Sequence, residues 1–289
     1  MKKGASPSAQ KLLERGAHEL ANVGISDSKW EAERLLRHAL GWTREFLLAH
    51  PGESVHAEAS GHFFQLVERR KGREPLQYII GEQEFWGMAL RVTPAVLIPR
   101  PETEGLVEQT IVPLRDRRAQ VVDVGCGSGC IALALASELP DARIYATEIS
   151  PAALAVAREN ASRHEKEKKV EFLQGNLLEP LVNKNLEGTF DAIVTNPPYL
   201  TDSDMKSLEP EVRGYEPRLA LEAGADGLSV VRRLLPQAEV FLKRGGRFIL
   251  EVGINMENPV RELIDASGLS WKKTVPDLQG IPRVMVAEK

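Results

Sequence analysis

Cysteine is nearly absent from this sequence: Cys126 and Cys130 are the only two. They lie four apart across a glycine-rich loop, with no third thiol or neighbouring histidine to complete a metal site, so two free thiols and no metal centre are expected. Long apolar runs are missing as well. Nothing approaches the roughly 20 residues that a membrane-spanning helix needs, and no membrane role is expected. The start, Met1-Lys2-Lys3-Gly4-Ala5-Ser6-Pro7, has two lysines but no apolar stretch behind them, which argues against a secretory signal and for a cytoplasmic location. Histidine is scarce, and His164, in a charged loop, is the only one of the six beyond residue 100. A histidine general base in that part of the chain is not expected. An excess of positive charge is lacking too. Net charge is −4 and the isoelectric point is near 6.0, whereas a nonspecific grip on nucleic acid rests on clustered Lys and Arg. The densest basic runs are Arg69-Arg70-Lys71 and Lys166-Glu167-Lys168-Lys169, the second reading as a solvated loop.

What the sequence does hold is a globular composition, 43% hydrophobic and 27% charged, over 289 residues. That length suits one large domain with a smaller companion. Residues 1–74 read as a small helical bundle. Ser8 can cap a segment in which Leu12, Leu13, Ala17, Leu20 and Ala21 keep helical spacing until Gly24. Ser28 opens a second stripe of Trp30, Ala32, Leu35, Leu36, Ala39 and Leu40, closed by Gly41, and Phe63, Phe64, Leu66 and Val67 mark a further helix. Residues 75–101 read as a linking β-hairpin, with β-prone runs Gln77-Tyr78-Ile79-Ile80 and Ala89-Leu90-Arg91-Val92 set off by Gly81 and Gly87. Across residues 102–289 strands alternate with helices: Val121–Val124, Arg143–Thr147, Val170–Leu173, Asp191–Thr195 and Arg247–Glu251. That alternation is the pattern of an α/β fold with a parallel sheet covered on both faces. Trp271–Val275 and Arg283–Ala287 add an antiparallel pair.

The first of these strands runs into Gly125-Cys126-Gly127-Ser128-Gly129 and then a helix. Glycines let the backbone approach a ligand closely, and the helix N-terminus offers unpaired N–H groups. Glu148, after the second strand, can accept hydrogen bonds from both hydroxyls of an adenosine ribose. Both features suit a dinucleotide as well as S-adenosylmethionine; the spacing Gly-x-Gly-x-Gly, rather than Gly-x-Gly-x-x-Gly, resembles methyltransferases, in which no pyrophosphate is cradled. Gly175-Asn176-Leu177 follows the third strand, where such enzymes place a polar side chain near the adenine amine and an apolar one against the ring. The carbonyl of Asn176 can accept from that amine.

Thr195-Asn196-Pro197-Pro198-Tyr199 follows the fourth strand. An NH2 on an sp2 carbon is a poor nucleophile because its lone pair is delocalised, so an enzyme must orient it and accept its hydrogens. The side-chain carbonyl of Asn196 and the backbone carbonyl of Pro197 can be the two acceptors, held by prolines that lock φ. Tyr199 can pack against the planar target. Methylation makes the nitrogen's proton strongly acidic, so a dedicated base is not required. The motif alone does not separate a glutamine amide from the exocyclic amine of adenine, cytosine or guanine.

Further motifs stand between and after these: Arg73-Glu74-Pro75-Leu76-Gln77-Tyr78-Ile79-Ile80-Gly81, Phe85-Trp86-Gly87, Val96-Leu97-Ile98-Pro99-Arg100-Pro101-Glu102-Thr103-Glu104, Tyr215-Glu216-Pro217-Arg218-Leu219-Ala220-Leu221, Asp226-Gly227-Leu228, Glu251-Val252-Gly253 and Asp277-Leu278-Gln279-Gly280. With them the chain resembles the release-factor glutamine methyltransferases of HemK or PrmC type over nearly its whole length. The resemblance implies a class I S-adenosylmethionine-dependent methyltransferase, Rossmann-like with a seven-stranded sheet. It also implies that the N-terminal helical bundle binds the protein substrate, whose target is the glutamine of the Gly-Gly-Gln motif in peptide-chain release factors. Cofactor contacts are expected at Gly125, Cys126, Gly127, Ser128, Gly129, Glu148, Asn176, Leu177 and Asn196, catalysis at Asn196, Pro197, Pro198 and Tyr199, and no metal. Arg100–Glu104 reads from its residues as a helix start and, by the resemblance, as a wall over the cofactor. The chain departs from the family at Asn176 (usually Asp), Glu148 (more often Asp) and Met256 (often Gln). Three other readings stand beside this one: a glutamine methyltransferase acting on a ribosomal protein, an amino-group methyltransferase acting on nucleic acid, and a non-enzymatic cofactor-binding assembly factor.

Overall fold

The computed structural model describes residues 6–289; Lys2 and Lys3, on which the expectation about a secretory signal rests, lie outside them. The backbone groups into two compact units. One runs through Gly81 and takes in Pro210–Tyr215, and the other comprises Glu82–Glu209 and Glu216–Lys289.

The first unit is helical: α1 (Ala9–Ala21), α2 (Ser28–Leu40), α3 (Arg44–Ala49), α4 (Ala57–Lys71) and α5 (Leu76–Ile80). Ser8 accepts from the Lys11 N–H at 3.4 Å at the start of α1, and Gly41, at φ 65°, ends α2 in the left-handed conformation. The apolar stripes of α1, α2 and α4 close on one another through Leu12, Leu20, Leu35, Leu36, Phe63 and Val67. A methyl group on Gly16 would come within 2.5 Å of the Phe63 ring, so glycine is what lets that ring reach α1. The basic run at the end of α4 is consumed internally. Arg69 pairs with Glu74 at 2.6 Å, Lys71 with Glu68 at 2.6 Å, and buried Arg70 with both Glu31 at 2.5 Å and Glu211 at 3.0 Å.

Gln77–Ile80 is helix, not the strand its composition predicts. Ile79 N–H bonds the Pro75 carbonyl at 3.1 Å, Gly81 N–H bonds that of Gln77 at 2.7 Å, and Gly81 sits at φ 85°. Leu76 and Ile79, three apart, both bury in the core of the helical unit. Burial at helical spacing outweighs the β preference of Tyr and Ile. The hairpin is built instead from β1 (Glu82–Phe85), whose polar composition carries little strand signal, and β2 (Met88–Arg91). Its two-residue turn, Trp86-Gly87, holds φ 52° and 70°, the mirror-image geometry that strand twist favours. Trp86 tolerates this because its N–H donates to Glu104 at 2.8 Å and its indole to Glu138 at 3.0 Å.

The remaining elements are α6 (Glu104–Leu114), β3 (Gln120–Val124), α7 (Cys130–Glu138), β4 (Arg143–Glu148), α8 (Pro151–Arg163), β5 (Val170–Gln174), β6 (Phe190–Thr195), α9 (Asp204–Ser207), α10 (Pro210–Tyr215, part of the helical unit), α11 (Ser229–Phe241), β7 (Leu242–Glu251), α12 (Glu257–Ala266), β8 (Ser270–Pro276) and β9 (Pro282–Glu288). The sheet has seven strands in the order β5-β4-β3-β6-β7-β9-β8, parallel except for β9, which enters antiparallel between β7 and β8. Successive strand residues alternate faces. On β3 and β6, Val121, Ala192 and Val194 join a core with α6, α7 and α8, while Val122, Val124 and Ile193 join one with α11 and α12. Chain order reverses between β3 and β6, and a ligand crevice is expected at the carboxyl ends of the strands there.

Candidate active site

A cavity of about 350 Å³ opens at that position, within the range of small-molecule sites. Its lining gathers the ends of four strands: Gly125 and Gly127 after β3, Glu148 at the end of β4, Asn176 and Leu177 after β5, and Asn196, Pro197 and Pro198 after β6. Gly125, Gly127 and Gly129 all hold positive φ. A methyl group on either of the first two would meet nothing within 4 Å, which leaves bare backbone facing open space, while one on Gly129 would press on Ala157 at 3.2 Å. The loop is anchored from β4, because the Thr147 carbonyl accepts from Gly125 at 2.8 Å and Cys126 at 3.0 Å.

Glu148 is buried, and its two oxygens accept from the Gly127 N–H at 3.0 Å and the Ser150 N–H at 2.8 Å. Each carboxylate oxygen has a second lone pair, so capacity for two hydroxyl donors remains. Asn176 donates its amide to Glu179 at 2.8 Å, which turns its carbonyl into the free end. This asparagine therefore offers what an aspartate would, an acceptor. Asp123 lies fully buried beneath the loop, with one oxygen taking the Ala132 N–H at 3.1 Å and the other unpartnered. Burial pushes its pKa up to about 7. Ser128 Oγ and Thr147 Oγ1 are also buried without partners, so unmet polar atoms cluster around the loop.

Behind the Asn-Pro-Pro-Tyr turn lies a relay of hydrogen bonds. Asn196 Nδ2 donates to Thr103 Oγ1 at 3.1 Å, and Thr103 donates to Glu251 Oε2 at 2.6 Å. Burial raises the Glu251 carboxyl to about 7, against the pull of the Thr103 bond and of Arg283. Thr195 pins the strand end by donating to the Val124 carbonyl at 2.8 Å. The Tyr199 ring is turned onto Gly253 rather than into the cavity lining, and burial lifts its phenol to about 12. A methyl group on Gly253 would stand 2.9 Å from Tyr199 Cδ2 and 3.0 Å from Met256 Sδ, and one on Gly227 would stand 2.4 Å from the Tyr199 carbonyl oxygen. Gly253→Ala is accordingly expected to destabilise the protein by about 1–3 kcal/mol, the usual cost of overpacking. Denaturant unfolding checks this, and an unchanged midpoint would show that the ring yields freely.

The structure thus brings Gly125, Gly127, Glu148, Asn176, Leu177, Asn196, Pro197 and Pro198 to one cavity. Cys126 and Cys130 are buried free thiols, Cys126 packing away from the cavity, and Ser128 and Gly129 do not line it: the Ser128 carbonyl accepts from Asn160 Nδ2 at 2.9 Å and the Gly129 N–H donates to the Cys126 carbonyl at 2.7 Å. No cluster of His, Cys, Asp or Glu among the described residues could hold a metal. Ala95, Val96 and Leu97 line the cavity, whereas Arg100–Glu104, to which the resemblance gave a wall over the cofactor, is not among the lining residues and sets Thr103 against Asn196. The sequence assigns no role to Asp123 or Glu251, and places Thr103 only within the helix start Arg100–Glu104. The available signals were a carboxylate inside the apolar strand Val121–Val124 for Asp123 and one closing the apolar run Phe248–Leu250 for Glu251.

Residues 11–81 match the family described as PrmC N-terminal domain, and residues 103–209 the Methyltransferase small domain. A release factor glutamine methyltransferase of Geobacter sulfurreducens is 42% identical, the match covering 96% of this chain and 95% of that protein. The chain belongs to the release factor glutamine methyltransferase family. Another member, from Moorella thermoacetica, is 43% identical over 96% of this chain and 97% of its own length. A methyltransferase structure from Pyrococcus furiosus, 20% identical with a TM-score of 0.53 and covering 77% of this chain and 98% of that one, shares the fold. Membership makes the protein an enzyme of the class I methyltransferases, a class that draws its methyl group from S-adenosylmethionine.

Proposed function

We propose that this enzyme methylates the side-chain amide nitrogen of the glutamine in the Gly-Gly-Gln motif of peptide-chain release factors, with S-adenosylmethionine as donor. The observation that carries the reading is the turn of Asn196. Its nitrogen is tied back to Thr103, so its oxygen is the end left for an incoming N–H. With the Pro197 carbonyl it would form an acceptor pair that suits an NH2 on a planar carbon. The names of the relatives support glutamine, and release factors, as the target.

The residues around the cavity fit the cofactor. S-adenosylmethionine supplies an electrophilic methyl group on a sulfonium. Glu148 would hold the ribose hydroxyls, Asn176 the adenine amine, Leu177 the ring, and the bare loop from Gly125 to Gly129 the methionine part. Glu148→Ala is expected to weaken cofactor binding by roughly 10- to 100-fold, the scale of lost bonds to a charged acceptor. The rate at saturating cofactor should change less, because the ribose does not react. Calorimetric titration tests this, and unaltered affinity would remove Glu148 from the site.

We assign the helical unit to holding the protein substrate. Its densest basic run is neutralised by its own glutamates, which disfavours a nucleic-acid target. No helix among the described residues is long and apolar enough to cross a membrane, and the reading places the enzyme in the cytoplasm with its substrate. The test is transfer of labelled methyl to purified release factor, its Gln→Ala variant, ribosomal proteins and duplex DNA. Label on the factor alone, lost in Gln→Ala, is expected. Label on DNA, or equal label on the Gln→Ala factor, overturns the assignment.

A further inference from the structure

The Asn196 carboxamide has two ends of nearly equal shape, and only one is useful. Turned one way it presents an acceptor to the cavity. Turned the other way it presents a second NH2 to the substrate's NH2 and repels it. Rotation about the terminal side-chain bond interconverts the two, and that torsion has a broad, roughly two-fold profile. Something must therefore choose the end.

We propose that Thr103 and Glu251 are positioning residues that fix the orientation of Asn196 through the direction of a hydrogen-bond relay. The proposal rests on the amide-methylating reading given above. A threonine hydroxyl has one hydrogen. Here it is committed to Glu251 Oε2 at 2.6 Å, a length typical of a bond to a charged oxygen. The hydroxyl oxygen can then only accept from its other side, and Asn196 Nδ2 faces it at 3.1 Å. An Asn196 oxygen placed there would meet a lone pair. Ionised Glu251 has no hydrogen to give, so the relay runs one way, from Asn196 through Thr103 to Glu251. Both supporting side chains are almost fully enclosed, at 2% and 3% exposure, and water does not compete for these bonds. Enclosure strengthens each bond and penalises each reversed one.

The three partners come from separate parts of the second unit: Thr103 from the turn before α6, Asn196 from the end of β6, and Glu251 from the end of β7. Arg100, Glu102, Arg283, Tyr199 and Cys130 are the charged and titratable groups whose fields bear on Glu251. A buried carboxylate held at a cost in desolvation needs a use, and neither cofactor nor substrate is assigned to this one. Dictating the hydrogen of Thr103 is such a use.

The test is the rate of methyl transfer to release factor at saturating substrates, well above pH 7 so that Glu251 is ionised. Wild type is compared with Thr103→Val, Thr103→Ser and Glu251→Met, alongside S-adenosylmethionine affinity by calorimetry. Thr103→Val keeps the shape and removes the relay, so kcat is expected to fall about 10-fold or more, with KM and cofactor affinity near wild type. Thr103→Ser restores the hydroxyl and should recover most of the loss. A packing role would not produce that split, since serine leaves the larger gap. Glu251→Met removes a buried charge together with the acceptor and is expected to fold even where Thr103→Val does not; its kcat should fall in the same way. Undiminished kcat in Thr103→Val or Glu251→Met, or no recovery in Thr103→Ser, overturns the inference while the assigned activity stands. A wild-type enzyme that labels no glutamine overturns the assigned activity and this inference together.

Discussion

Release factor in which the Gly-Gly-Gln glutamine is changed to glutamate should accept methyl at least ~10⁴-fold less efficiently than the native factor, on the scale by which a site built for hydrogen bonding rejects a mismatched group. The two side chains are nearly identical in size, so exclusion by shape contributes little. Nor is a carboxylate inert: its charged oxygen is intrinsically a better nucleophile toward a sulfonium methyl than a delocalised amide nitrogen. Discrimination must come from the acceptors. The Asn196 oxygen and the Pro197 carbonyl would face lone pairs in place of two N–H groups. The buried carboxyl of Glu251, reached from Asn196 through Thr103 in the relay, adds a charge of the same sign. The products are distinguishable, because an ester formed on glutamate is labile to base and the N-methyl amide is stable. Single-turnover rates on the two factors measure the ratio. Base-labile label appearing on the glutamate variant at a comparable rate would mean that the pocket supplies proximity alone and that the acceptor pair is not the source of specificity.

The parts of the site that could be read from the sequence were those whose chemistry is local. A glycine-rich loop following an apolar strand, an acidic residue closing the next strand and the Asn-Pro-Pro-Tyr turn each announce themselves within a few residues. The structure sets Gly125, Gly127, Glu148, Asn176 and Asn196 around one cavity. What escaped is non-local. Thr103 touches Asn196 across a separation of 93 residues and Glu251 across 148, and nothing in the run Pro101-Glu102-Thr103-Glu104 distinguishes a helix start from a hand behind the site. Gly253 has its reason in the Tyr199 ring, far away in sequence. The same limit explains the run Gln77–Ile80. Its β-prone side chains are real, but the burial of Leu76 and Ile79 in the helical unit is a tertiary fact that local preference does not contain. Likewise Pro210–Tyr215 lies between two elements of the sheet unit yet clusters with the helices, where Glu211 meets Arg70. Pairing of that kind is invisible to periodicity.

Asn196→Ala is expected to lower the rate of methyl transfer by about 100-fold or more, the typical loss on removing one oriented polar group from a reacting centre, which corresponds to roughly 2.7 kcal/mol of barrier. Cofactor affinity should hardly change, because the assigned anchors of the cofactor, Glu148 and Asn176, stand on β4 and after β5 and do not depend on the turn after β6. The loss should appear in kcat and kcat/KM alike, the pattern of an interaction made in the transition state. Asn196→Asp separates acceptance from orientation. One of its oxygens still accepts from the substrate, but the other would face Thr103 Oγ1, whose only hydrogen is already on Glu251. Two lone pairs would meet, and a second carboxylate would be held close to Glu251. Aspartate should therefore keep the acceptor and lose the anchor, giving a rate between those of alanine and wild type. Adding Thr103→Val to Asn196→Asp should cost less than it costs in the wild type, since the relay is already broken there; coupling of this kind is what a double-mutant cycle reads. Turnover by Asn196→Ala near that of wild type, with cofactor binding intact, would sink the mechanism, because no other residue lining the cavity after β6 carries a side-chain carbonyl.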